Sequence, residues 1–216
     1  MLWLFIGCAH LGIPMPGKIH SFAKGRSPVS QVSKVVKSTS LDSSVPAVGM
    51  RVSEIAVGLK GQSSLVVNGQ TMRYDCSGFV LTAFGLADIS LSGNTRSLFD
   101  LASKEGRLVK TPHPGDVVFF DNTYDRNKNQ RLDDTLTHIA IVVSVDTDET
   151  VHMVHLGGSG ITDLTMNVAH PADHKSPDGK IWNSYLRVNR KGEISPRLTG
   201  QLFRVYARFA DTIDAS

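Results

Sequence analysis

The periodicity of apolar residues changes once along this 216-residue chain, and that change limits the fold more than any single residue does. Val52, Ile55, Ala56 and Leu59 recur at helical spacing, and Gly61 ends the run. Phe79-Val80-Leu81-Thr82-Ala83-Phe84-Gly85 reads as a second helix, short and mostly apolar. Asn94 caps the start of a third, which runs to about Lys104 and is ended by Gly106. After the turn Pro112-His113-Pro114-Gly115 the pattern becomes that of strands. Residues 116–120, 137–145, 151–156 and 202–209 are runs rich in β-branched and aromatic side chains. Helices first and sequential strands after predict an α+β fold, with N-terminal helices packed on an antiparallel sheet.

The length has room for one well-formed domain and a tail. Residues 14–45 are rich in Ser, Lys, Gly and Pro with little periodicity, so they cannot bury enough apolar surface to offset their ordering entropy. The reading is a leader and flexible linker over residues 1–47, followed by the folded domain at 48–212. The leader ends in Ile6-Gly7-Cys8, which resembles the end of a bacterial lipoprotein signal, and Cys8 would then carry a lipid anchor. No basic residue precedes it and its apolar run is short, as in a signal truncated by a start assigned too far downstream. No segment is long enough to span a bilayer as a helix. The net charge of +3 is scattered, with no basic run carrying interleaved aromatics, so no nucleic acid partner is indicated.

Of the two cysteines, Cys8 lies in the leader, so Cys76 is expected to be unpaired. Cys76 precedes the second helix and would sit in its first turn. There, unpaired N–H groups and the positive end of the helix dipole favour a thiolate. Ser77 and Gly78 are small and leave the sulfur approachable. The alternative is a buried structural thiol.

Two downstream histidines favour the reactive reading. A thiol nucleophile needs an imidazole to take its proton and a group to orient that imidazole. His138 opens the long strand and His155 ends the next. Antiparallel pairing through a turn at 146–150 would make them neighbours at one end of the sheet. Alternation puts His138 on the face of Ala140 and Val142, against which the Cys76 helix is expected to pack. His152 faces the other way and reads as an ordinary satisfied histidine. His113, His170 and His174 lie in polar loops. No Cys/His spacing suggests zinc.

In this order, the motifs resemble those of the NlpC/P60 peptidases, bacterial enzymes that cut peptidoglycan stem peptides. Asp75-Cys76-Ser77-Gly78-Phe79-Val80 is similar to the nucleophile motif, and 114–120 to the strand that follows. His138-Ile139-Ala140-Ile141-Val142 is similar to the second motif, and Met153-Val154-His155 before Gly157-Gly158-Ser159-Gly160 to the third. The resemblance implies a papain-like fold over about 48–209 and hydrolysis of an amide bond, often the one following D-glutamate. It casts Cys76 as nucleophile, His138 as base and His155 as the orienting group. It places Asp75 near the substrate's free amine, with Tyr74 and Ser77 beside it, and requires no cofactor for catalysis. The implied location is the cell envelope or the exterior. Two other classes remain: a papain-like amidase or acyltransferase acting on the wall or as an antibacterial toxin, and a non-catalytic wall-binding relative.

The segment before His138 holds a further pattern. Asp125, Asn127, Asn129 and Asp133 fall at positions 1, 3, 5 and 9 of a calcium loop, with the Arg131 carbonyl at 7. Gln130 stands where the sharp turn wants glycine, and Leu136 where a bidentate Glu belongs. Asp121 or Asp134 is the expected substitute ligand. The segment reads equally well as a polar turn.

Overall fold

Nearly every side chain of 79–84 is buried, and that run is the centre around which the domain is assembled. The computed structural model describes residues 47–189 and 194–210. The leader, Cys8 and most of the linker lie outside the described residues. α1 (Ala47–Gly58) is followed by a hairpin of β1 (Val66–Val67) and β2 (Gln70–Thr71). Asn68 and Gly69 turn that hairpin with φ of 49° and 78°, the left-handed pair that a two-residue turn requires. Then come α2 (Cys76–Leu86), α3 (Thr95–Lys104), β3 (Leu108–Val109), β4 (Val117–Phe120), β5 (His138–Val145), β6 (Val151–Gly157), β7 (Gly160–Met166), α4 (Thr199–Leu202) and β8 (Phe203–Ala207). No helix among the described residues is long and apolar enough to cross a membrane.

The fold is α+β, as the change of periodicity predicts. Six strands form one sheet in the order β3-β8-β4-β5-β6-β7, every neighbouring pair antiparallel. Both faces of the sheet are covered. α1, α2 and α3 pack Val52, Ala56, Phe79, Val80, Phe84 and Leu98 on one face, against Val117, Phe119, Ile139, Ile141, Val154 and Leu156. Phe79 and Phe84 are fully buried, and each contributes roughly 1.5–3 kcal/mol by leaving water. The other face is built on Val118, Phe120, Ala140, Val142, Met153 and Tyr206, and Leu202 of α4 packs against it. A buried ion pair from Arg208 to Asp116 ties the end of β8 to the start of β4, at 2.8 and 2.9 Å.

One expectation is corrected. The helix carrying Cys76 packs on the Ile139/Ile141 face of β5 and not on the His138/Ala140/Val142 face. Isoleucines fill the gap beneath a mostly apolar helix better than an alanine does, and the polar imidazole is left to face the opposite cavity. The four strand runs expected from the sequence are joined by a further one, the seven-residue β7. It lies at the sheet edge, with Ile161 on the helix-covered face and Leu164 and Met166 on the other, and the intervening Thr162, Asp163 and Thr165 break up its apolar pattern.

Candidate active site

Asp75 starts the nucleophile turn. Its backbone is extended (φ −139°, ψ 174°), and Oδ1 accepts from the Gly78 N–H at 2.7 Å, capping α2. Ser77 Oγ donates to the same oxygen at 2.8 Å and itself accepts from Arg73 Nη2 at 3.1 Å. The chain enters beneath this turn so closely that a Cβ on Gly78 would stand 1.9 Å from the Arg73 carbonyl oxygen. Only glycine fits there. Cys76 is therefore held as the first residue of α2, half-buried and free of any disulfide.

Its sulfur lies 3.9 Å from Thr95 Oγ1, at the start of α3. Burial pushes the Cys76 thiol above its ordinary value and Asp75 adds to this, while the Thr95 hydroxyl and the N–H groups of Ser77 and Ile139 act in the opposite sense. The thiol is thus protonated at rest. The Cys76 N–H, at the first position of the helix, has no intrahelical acceptor and is available to a developing oxyanion.

His138 and His155 meet at the start of β5 and the end of β6, brought together by the hairpin whose turn closes with Asp146 N donating to Thr150 O at 2.9 Å. His138 Nε2 and His155 Nδ1 are 2.7 Å apart, with the rings edge to face. Burial, and then the neighbouring ring, push His138 down to about 3. Burial pushes His155 down to about 4, against an opposing pull from Asp163. Both rings are neutral at pH 7. His155 Nε2 lies 3.2 Å from Thr162 Oγ1. No hydrogen bond joins Cys76 to His138, so the thiol and imidazole stand as two neutral groups near the start of β5.

The other expected site residues take definite places. Tyr74 is exposed, and its hydroxyl donates to the Gln62 carbonyl at 2.6 Å. Asp75 and Ser77 are engaged with each other and with Arg73, whose Nε is 3.6 Å from Asp75 Oδ2. His152 pairs with Asp146 at 2.9 Å, away from the site. A cavity of about 390 Å³ surrounds Cys76, where Arg73, Arg96 and Arg126 line it. A second, of about 530 Å³, lies against His138 and His155 with Thr162, Tyr185 and Leu186. Tyr124 borders both. Thr95, Thr162 and Arg96 were not anticipated, since a lone Thr or Arg carries no motif.

The candidate calcium segment is folded around its own side chains. Asp125 accepts from the N–H groups of Asn129 and Gln130 at 3.1 and 2.9 Å, and Asp133 accepts from the side-chain amides of Asn127 and Asn129. Arg131 is bound through its N–H, which donates to Asn129 Oδ1 at 2.8 Å. Gln130, in the glycine position, adopts φ 64°. The expected substitutes are committed elsewhere: Asp121 to Leu136 N and Arg204, Asp134 to Arg126 N. Among the described residues, no group of three or more His, Cys, Asp or Glu could hold a metal ion.

No curated protein and no solved structure matches the chain. The family model of NlpC/P60 matches residues 61–190, which include Cys76, both histidines and five of the six strands of the main sheet. With the match extending over more than half of the chain, on an α+β fold, this protein belongs to the NlpC/P60 family.

Proposed function

We propose that this protein is a cysteine peptidase that hydrolyses amide bonds in peptidoglycan stem peptides, at the bond following D-glutamate. Its family points to cysteine peptidase or amidase chemistry on peptidoglycan, and some members are non-catalytic. The observation that carries the catalytic reading is the 2.7 Å contact between His138 and His155. It occupies one nitrogen of His138 and leaves Nδ1 for a proton.

In this reading Cys76 Sγ attacks the scissile carbonyl as His138 Nδ1 takes the thiol proton. A thioester forms, the C–N bond breaks, and the imidazolium returns its proton to the departing amine. Water then attacks the thioester, with His138 again as base, and restores the thiol. His155 holds the His138 ring through the contact with its Nε2. A thiol raised by burial and an imidazole lowered by burial both favour proton transfer during attack over a resting thiolate–imidazolium pair.

Defined muropeptides, incubated with the purified protein and resolved by mass spectrometry, test this. Products ending in D-glutamate are expected, with turnover lost in Cys76→Ala and about equally in His138→Ala, since such pairs act as a unit. Wild-type turnover in Cys76→Ala overturns the peptidase reading. Cleavage at another amide retains the peptidase and removes only the bond assignment.

A further inference from the structure

β6 and β7 set Thr162 directly opposite His155, and the contact of Thr162 Oγ1 with His155 Nε2 extends the histidine pair into a row of three groups. Each neutral imidazole carries a single N–H, so the proton on one member fixes the proton on the next.

Two arrangements satisfy the row. In the first, the Thr162 hydroxyl donates to His155 Nε2, His155 Nδ1–H donates to His138 Nε2, and the His138 proton sits on Nδ1. In the second, His155 Nε2–H donates to Thr162 Oγ1, and His138 Nε2–H donates to His155 Nδ1. His138 Nδ1 is then bare. Only the second leaves a lone pair on the nitrogen that must accept the thiol proton.

We propose that Thr162 is a positioning residue that accepts a hydrogen bond from His155 Nε2–H and thereby selects the tautomer in which His138 Nδ1 is the base. The inference rests on the roles given above to Cys76 and His138. Two observations support it. Thr162 lines the 530 Å³ cavity, so its own hydroxyl hydrogen can be given to solvent while the oxygen accepts. The His155 ring lies so close to the hairpin backbone that a Cβ on Gly157 would be 2.6 Å from Cε1, which keeps the ring from swinging away from Thr162.

The test uses nitrogen-15 spectra of the free protein, which distinguish protonated from bare ring nitrogens without any substrate, together with kinetics on muropeptides. The wild type is expected to show His138 with Nε2–H and bare Nδ1. Thr162→Val should shift His138 toward the other tautomer and lower kcat by roughly ten- to a hundred-fold, the range for lost outer-shell partners, with KM unchanged. Thr162→Ser should restore both. A wild-type His138 proton on Nδ1 overturns the proposal, as does a Thr162→Val spectrum and kcat equal to wild type. The spectra remain decisive even if no muropeptide is cleaved, which separates this failure from failure of the peptidase reading. They also remain decisive if the valine variant unfolds, because the wild-type tautomer is read directly.

Discussion

Gly157 and His155 show how far a single residue reaches into the site. Gly157 carries no reacting group, but any side chain there collides with the His155 ring. Its missing Cβ would stand 2.6 Å from His155 Cε1 and 3.3 Å from each ring nitrogen. Gly157→Ala should therefore break the 2.7 Å contact and lower kcat about as much as His155→Ala, while leaving thermal stability nearly unchanged at this half-buried hairpin position. Parallel melting curves and steady-state kinetics of the two variants check this. Full activity in Gly157→Ala would show that the ring can shift without cost. The place of Cys76 at the start of a helix and the meeting of His138 with His155 were legible in the sequence, because each residue is embedded in a run of characteristic neighbours. Thr95 and Thr162 were not. Their relevance comes from register and from the approach of α3, 19 residues away from Cys76 along the chain.

Secondary-structure elements were legible where one physical signal dominated. Strands β4, β5 and β6 carry β-branched and aromatic runs between turn residues, α1 carries helical spacing, and α3 carries the Asn94 cap. The packing face of β5 was misjudged, since alternation identifies two faces without saying which one a helix covers. The segment 121–134 is an element of another kind, ordered by side-chain-to-backbone bonds. Its carboxylate and amide oxygens now accept from neighbouring N–H groups, and a calcium ion would have to take over part of that work. With two carboxylates in the cluster, affinity should be no better than the roughly 10⁻⁴–10⁻³ M range of extracellular modules. Were an ion held at that affinity, millimolar calcium would add about 1 kcal/mol and raise Tm by a few degrees. Melting in calcium against chelator, repeated with Asp125→Ala, measures it. Identical curves in all conditions reduce the segment to a polar turn.

For the molecule as a whole, the histidine pair links stability to pH. Unfolded histidines titrate near 6.5, whereas the fold holds His138 at about 3 and His155 at about 4. Between those values the unfolded chain binds more protons than the native one, so stability falls as pH drops from about 6.5 toward 3 and is level above. Each ring contributes about 1.4 kcal/mol per pH unit inside that window. Urea melts at pH 7.5, 6 and 5 should show a falling midpoint, and a His138→Asn/His155→Asn double variant should flatten the trend. A wild-type midpoint independent of pH over this range would mean that the buried rings accept protons as readily as solvated ones.

The sheet order has a consequence for how the chain is made. β8 is the last described strand to be synthesised, but it lies between β3 and β4 inside the sheet. Until it emerges from the ribosome, β4 has an open edge, Asp116 lacks Arg208, and the face built on Val118 and Phe120 is uncovered. The helix bearing Cys76 and the hairpin bearing both histidines are long finished by then, without a closed sheet to hold them in register. The sheet that carries both histidines is therefore completed only in a molecule whose synthesis has passed residue 207.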